Sequence, residues 1–363
     1  MLLKKFIYLR IKLVGMLQHK KIFPFKKILL LLLSVLLLTC KKDHGVLQDN
    51  NTSSTQTITG NWISISSSVS GILFTKDSFM FAGGGKIYRT SDNGNNWTSV
   101  NSFPGNYFLV NGNNIYFGMA DGNSSVYMSN NNGNNWSLIG SNMGNSVYSL
   151  ASIGNTLYVG TACGVHMTVD NGIHWMNIYS GFPTNTSSYP YLPAGTLAVK
   201  DTNLFAGTAK GLYLYSQYNS TWSSVMCNGL PTGAIIKYLA VNGNTLFAGT
   251  WQNGIYYSND NGVNWFAINN GLPKNGAQYC QVQSISIFGN YIFSSLQGHI
   301  YLTTDNGNTW SLLTGFSGTN PAQSSIILKD SILFCAGANV IDPNPDHPYS
   351  IPQIWKCSIN SLH

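Results

Sequence analysis

Acid–base chemistry in this 363-residue chain has to come from aspartate, because the sequence contains twelve Asp and no Glu. Glycoside hydrolysis, the reaction that two carboxylates most readily support, needs a pair flanking one bond, about 5–5.5 Å apart for retention and wider for inversion. Few of the twelve are available for that. Asp92, Asp170, Asp260 and Asp305 recur inside one short motif, while Asp77, Asp201 and Asp330 each follow a Lys in a predicted turn (KDS, KDT, KDS). Asp43 and Asp49 fall in a polar stretch near the N-terminus. That leaves Asp121, Asp342 and Asp346, and a hydrolase would have to be built on Asp121 and Asp342. We assign no catalytic residue.

Metal and thiol chemistry fare no better. Asp342, Asp346 and His347 sit together in DPNPDHPY, with Asn339 and Asn344 close by. Oxygen-rich loops of this kind can hold Ca²⁺, but the prolines equally suit a rigid solvated loop. No metal and no cofactor is assigned. His166, His174 and His299 are isolated and read as strand or turn residues. Beyond Cys40 there are five cysteines, Cys163, Cys227, Cys280, Cys335 and Cys357, an odd number with no zinc spacing. Cys335 and Cys357 are expected on neighbouring strands, where they either bridge or pack as small hydrophobes.

The motif that absorbs the aspartates organises the chain. It reads TSDNGNNW (90–97), SNNNGNNW (129–136), TVDNGIHW (168–175), SNDNGVNW (258–265) and TTDNGNTW (303–310). Its pattern is Ser/Thr-x-Asp-x-Gly-x-x-Trp, with Asn131 in place of Asp in the second copy. Such a turn can be closed by the Asp side chain accepting backbone N–H groups two or three residues on. Gly94, Gly133, Gly172, Gly262 and Gly307 would supply positive φ. Trp97, Trp136, Trp175, Trp265 and Trp310 would begin the return strand and offer an apolar face to a neighbouring layer.

Five copies of this length resemble the Asp-box (bacterial neuraminidase) repeat, over the chain from about Gly60 to the C-terminus. In that family the box lies between the third and fourth strands of a β-propeller blade. Seven Trp (62, 97, 136, 175, 222, 265 and 310) recur at spacings of 35, 39, 39, 47, 43 and 45 residues, a period that suits four-stranded blades. Hairpins precede the boxes, as in YLAVNGNTLFAGT (238–250), with strand-type alternation and Asn-Gly, Gly-Asn or Lys-Asp in the turn. The copy ending at Trp222 (YSQYNSTW) keeps only its Trp. Residues 324–357 supply three strands without a box, around 326–328, 333–336 and 353–357, and the strand after Trp62 supplies the missing fourth. The expected fold is an all-β, seven-bladed β-propeller of four-stranded blades, the last closed by the N-terminal strand.

Resemblance to sialidases implies three Arg, a Tyr–Glu pair and an Asp acid. After residue 40 there is one Arg, Arg89, and no Glu, which excludes that chemistry. Similarity to the photosystem II assembly-factor propeller extends to box pattern and blade number, but the arginine patch of that family has no counterpart in one Arg. In related propellers, functional sites lie on the rim of the second-to-third-strand turns and between-blade connections. The longest excursions there are Tyr179–Gly195 and Gly337–Pro352, and the candidate ligand residues are Tyr189, Tyr191, Trp251, Tyr279, His347 and Tyr349. A repeated Gly-Phe/Leu-Pro (from Gly181, Gly229 and Gly271) is expected to turn the chain inward to the next blade.

Charge divides the chain. Residues 1–40 carry seven Lys and one Arg with no acid, and residues 41–363 carry eleven basic groups against twelve Asp. The net +7 therefore belongs to the N-terminus, and a nucleic-acid partner has no support. There, Lys20, Lys21 and Lys26 precede an apolar run from Ile28 to Leu38 that is too short to span a bilayer. It ends Leu-Leu-Thr-Cys40, which resembles a bacterial lipobox and implies cleavage before Cys40 and acylation of its thiol. Translation starts at Met1 or at Met16. The expected organisation is a lipoprotein signal peptide (1–39), an acylated Cys and flexible tether (40–59) and the propeller (60–363), with the tether reaching about 20–25 Å. The whole implies an exported protein anchored by lipid to the outer membrane, on either face, and acting as a non-enzymatic binding or assembly scaffold for an unknown protein. The alternatives are a glycan-binding module that uses the rim aromatics and a weak glycoside hydrolase. Replacing Cys40 with Ser is expected to abolish lipid labelling and membrane retention, and undiminished labelling in the variant would refute acylation.

Overall fold

The computed structural model describes residues 56–66, 69, 71–184, 191–316, 325–340 and 350–362. The signal segment, Cys40, Tyr189, Asp342, Asp346, His347 and Tyr349 lie outside the described residues. Those described form seven four-stranded antiparallel blades. Blade one comprises Ile72–Lys76, Phe79–Gly83, Ile87–Thr90 and Thr98–Asn101, and the next five follow in chain order. The innermost strands touch in sequence around the ring, and that of blade seven (Ser325–Lys329) returns to that of blade one. This is a seven-bladed β-propeller.

Closure depends on the N-terminal strand. Ile63–Ser66 pairs antiparallel with Ser350–Ser358 of blade seven, setting Ile63 opposite Lys356 and Ser64 opposite Trp355. Trp62 is thereby buried and stacks on Phe316 at 4.4 Å between centroids. Two boundaries differ from the sequence expectation. Thr57–Thr59, placed there in the tether, runs parallel to Ser311–Thr314 as a fifth strand on blade six. Three residues carry no readable alternation, and their pairing is a backbone matter that covers an open edge. In blade seven, pairing runs on through Gly337–Gln353 to Val340–Ser350, so both ends of the expected rim excursion are strand, and 341–349 lie outside the described residues.

A separate apolar seam fills each of the seven interfaces between adjacent blades. Val147, Leu157 and Trp175 pack on Tyr116 and Val126 between blades two and three, and Leu73, Met80 and Trp97 pack on Phe334 and Ile354 between seven and one. Second strands face a seam on both sides. Asn203–Thr208 and Thr245–Thr250 therefore bury five residues in succession rather than alternate residues. Their glycines admit the next blade: a Cβ on Gly207 would lie 2.6 Å from Ile236 Cγ2, and one on Gly249 would meet Val282.

The repeated Trp joins blade to blade. Its indole enters the seam with the preceding blade, and Nε1 of Trp175, Trp222 and Trp310 donates to the carbonyls of Ile139, Ile178 and Ile268 at 2.8, 2.8 and 2.6 Å. The backbone N–H groups of Trp222, Trp265 and Trp310 donate to Ser180, Asn228 and Asn270 at 2.8, 2.7 and 2.8 Å. Those acceptors stand just before Gly181, Gly229 and Gly271, where a Cβ would strike the same Trp carbonyl. The Gly-Phe/Leu-Pro segments therefore latch the following blade as well as redirect the chain. A buried indole contributes about 5 kcal/mol of gross apolar stabilisation before entropy is subtracted. Trp310→Ala is expected to destabilise the protein by about 3–5 kcal/mol, read as a lowered urea midpoint. Trp251→Ala, at an exposed position, should change stability by less than about 0.5 kcal/mol. Equal losses in the two variants would contradict a wedge role for the indole.

Candidate functional site

The repeated turns spend their polar groups on themselves. In blade one the Thr90 hydroxyl donates to Asp92 Oδ1 (2.7 Å) and accepts the Asp92 and Gly94 N–H groups at 3.3 and 3.1 Å. Asp92 Oδ1 accepts the Asn96 N–H at 2.9 Å, and Oδ2 accepts Asn96 Nδ2 at 2.7 Å. The carboxylate thus closes the turn on the residue four positions on, not two or three, because the Ser/Thr hydroxyl already takes the nearer N–H groups. Positive φ falls on two residues in each turn, as at Asn93 (56°) and Gly94 (84°). The turns at Asp170, Asp260 and Asp305 repeat this scheme, and Asn131 reproduces it with its amide oxygen.

The Lys-Asp turns are committed too. Lys76, Lys200 and Lys329 bond the neighbouring Asp at 2.7, 3.3 and 2.8 Å. Lys200 and Lys329 also reach the left-handed Asn of the following blade's repeated turn, Asn261 and Asn93, at 2.8 Å each. Asp121, one of the three aspartates left over in the sequence, closes its own loop. Its carboxylate accepts the Asn123 and Ser125 N–H groups (3.0 and 3.4 Å) and the Ser125 hydroxyl (2.6 Å). Burial pushes this carboxyl up, but the Ser125 hydroxyl and those N–H donors outweigh it and hold it below the ordinary range.

Thiols and imidazoles occupy packing positions. None of the five described cysteines forms a disulfide. Cys335 stands opposite Trp355, and Cys357 opposite Leu333. That diagonal offset sets the two residues about 7–8 Å apart, beyond the usual Cα separation across a disulfide. His166 is buried, with Nδ1 bonded to Asn177 Oδ1 at 2.8 Å and Nε2 to the Tyr179 hydroxyl at 3.0 Å. Burial, aided by nearby Cys163 and Tyr191, pushes Tyr179 up to about 12. Tyr191, partly buried, packs on Tyr179 at 4.5 Å and against a seam.

Trp251 and Tyr279 form a different arrangement. Trp251, 41% exposed, lies in the second-to-third-strand turn of blade five, and Lys237 Nζ stands 5.1 Å from its ring. The next residue, Gln252, accepts the Tyr279 N–H at 3.0 Å. Tyr279 pairs across a short hairpin with Lys274, whose Nζ lies 4.6 Å over the Tyr279 ring. The result is a continuous strip of Lys237, Trp251, Gln252, Tyr279 and Lys274 where blade five passes to blade six. Both lysines escaped the sequence reading. Lys274 was legible, because Asn275-Gly276 is a hairpin turn signal. Lys237 was not, because a register shift between Ile236 and Tyr238 makes it the extra residue of a bulge, the device that re-aims a side chain.

Charge separates between the two rims. Of the eight described aspartates, seven lie on the rim of the repeated turns and only Asp121 on the opposite rim, which carries Lys86, Lys210, Lys237 and Lys274. The fold and this rim define a seven-bladed β-propeller with a lysine- and aromatic-bearing face. The chain belongs to the family described as the DUF6242 β-propeller domain, whose model matches residues 69–362. No curated protein matches it. Among solved structures it is similar to YCF48 bound to D1 peptide, at 14% identity and TM-score 0.59, covering 84% of this chain and 99% of that one. YCF48 from Cyanidioschyzon merolae aligns at 15% identity and TM-score 0.56, over 83% and 99%. The extracellular domain of BT4673 from B. thetaiotaomicron aligns at 14% and 0.58, over 82% of this chain and 40% of that one. At these identities the likeness is one of fold.

The carboxylates of the turns make acid stability testable. The N–H groups of Asn96, His174 and Asn264, with their side chains and the Ser/Thr hydroxyls, lower Asp92, Asp170 and Asp260 from 3.8 to about 2. A depressed folded-state value means stability that is fully present above the unfolded value and lost as pH falls through the folded one. The melting temperature should therefore fall between about pH 4 and pH 2. Asp260→Asn, which imitates the natural Asn131 turn, should flatten that acid limb, and an unchanged slope would show that the turn does not carry it.

Proposed function

We propose that this protein is a lipid-anchored, non-enzymatic propeller that acts as a binding or assembly scaffold at the cell envelope, holding a protein partner on the rim at blades five and six. The observation that carries the reading is the Lys237–Trp251–Gln252–Tyr279–Lys274 strip, where two cation–ring pairs lie side by side. Trp and Tyr are enriched where proteins meet, and the two lysines add charge that steers a partner of opposite sign. The similar propeller YCF48 has a D1 peptide bound, an instance of this fold serving as a peptide platform. Anchoring follows from the Cys40 signal, and the charge-poor surface suits an exported domain.

A hydrolase finds less support, since the Asp121 carboxylate takes three hydrogen bonds from its own loop. Glycan capture is also the weaker reading, because a neutral sugar would give the two ammonium groups beside those rings no counter-charge. The test is chemical cross-linking of the full-length protein in its native envelope, comparing wild type with Trp251→Ala/Tyr279→Ala. One discrete cross-linked species should be reduced about tenfold or more in the double variant, in line with the cost of removing central aromatic contacts. A species that persists at wild-type yield would place the partner elsewhere.

A further inference from the structure

We infer that the strip at blades five and six recognises an acidic peptide segment, in which two carboxylates separated by an apolar side chain engage Lys237 and Lys274. This rests on the rim being the binding face and names what it binds. Both ammonium groups are exposed, and among the described residues neither is in an ion pair, whereas Lys76, Lys200 and Lys329 on the opposite rim each have an aspartate. The strip's lysines are instead held over aromatic rings, Lys237 by Trp251 at 5.1 Å and Lys274 by Tyr279 at 4.6 Å. A cation parked on a ring face is positioned while keeping most of its hydration, so an arriving carboxylate meets a pre-placed charge.

The surroundings select the sign of the partner. Asp121, the single described carboxylate on that rim, lies in blade two rather than in the strip and bonds only to neutral donors of its own loop, so the described lysines there outnumber acids four to one. Trp251 and the partly buried Tyr279 add apolar surface beside the two cations, and Gln252 is exposed next to them. Nucleic acid is disfavoured, because four lysines and no arginine make a thin basic surface for a polyphosphate. A neutral sugar is disfavoured because it would leave Lys237 and Lys274 without a counter-charge. A short acidic and apolar segment satisfies both the charges and the apolar surface.

The experiment is fluorescence-polarisation titration of the full-length protein with a labelled Glu/Leu decapeptide and its Gln/Leu counterpart. The acidic peptide should bind and the neutral one at least tenfold more weakly, with affinity falling as salt rises. Lys237→Gln/Lys274→Gln should weaken acidic-peptide binding by about tenfold. Lys86→Gln/Lys210→Gln, on the same rim but outside the strip, should weaken it less than about twofold. Equal binding of the two peptides, or equal effects of the two lysine pairs, would overturn the inference. So would tighter binding of a heparin oligosaccharide or of phosphatidylglycerol vesicles through the same two lysines. If Trp251→Ala/Tyr279→Ala abolishes cross-linking in the envelope while Lys237→Gln/Lys274→Gln leaves it intact, the scaffold function stands and the acidic specificity fails.

Discussion

The fit of one indole between two sheets governs this molecule. A blade of four strands has an apolar surface on each side and cannot bury both unless two others flank it. The repeated Trp solves this locally. Its ring enters the seam with the preceding blade, its Nε1 in three blades takes a carbonyl from that blade, and its own N–H in three blades is taken by a carbonyl beside a Gly-Phe/Leu-Pro turn. Wedge and latch together fix the angle between blades, and that angle repeated seven times closes the ring. The copy ending at Trp222 has lost its acidic turn and keeps both contacts, so the indole rather than the carboxylate is indispensable to the joint.

The aspartates have a different duty. Each repeated turn forces two successive residues into the left-handed region and leaves several N–H groups pointing inward. A carboxylate and a hydroxyl collect those donors, which is why the carboxyls of Asp92, Asp170 and Asp260 are depressed while they remain near solvent. The second blade shows that an amide is sufficient, since Asn131 makes the two Oδ1 bonds without charge. A residue type that suggests catalysis is here consumed by the geometry of a turn. The consequence for function is spatial: among the described residues, acidic groups gather on one rim, and the opposite rim carries lysines, the exposed Trp251 and the partly buried Tyr279.

Blade seven illustrates how closure couples the ends of the chain. Its inner three strands come from the C-terminal part and its outer strand from Ile63–Ser66. The partner of Trp62 is Phe316, and Trp355 packs in the same seam. Unfolding either end therefore opens the ring, so stability is shared around the circle rather than held by any one blade.

How much of this was legible in the residues follows from the range of each interaction. Blade number, the repeated turns, the spent aspartates and the closing strand were all readable, because each depends on contacts within about forty residues or on a period that repeats. The strand Thr57–Thr59 and the long hairpin of blade seven were not, since both are set by backbone pairing that leaves no side-chain pattern. The candidate site was read in part. Trp251, Tyr279 and Tyr191 were picked out by type and place; Tyr191 packs on Tyr179, whereas Tyr279 is joined to the turn of Trp251 through Gln252. Lys237 reaches Trp251 only because a bulge displaces it from the strand's alternation, and Tyr279 joins them only because its N–H finds Gln252 in a neighbouring turn. A repeating sequence determines a repeating frame by itself. Which side chains that frame brings face to face is decided by register and bulge, and these exist only once the blades have packed.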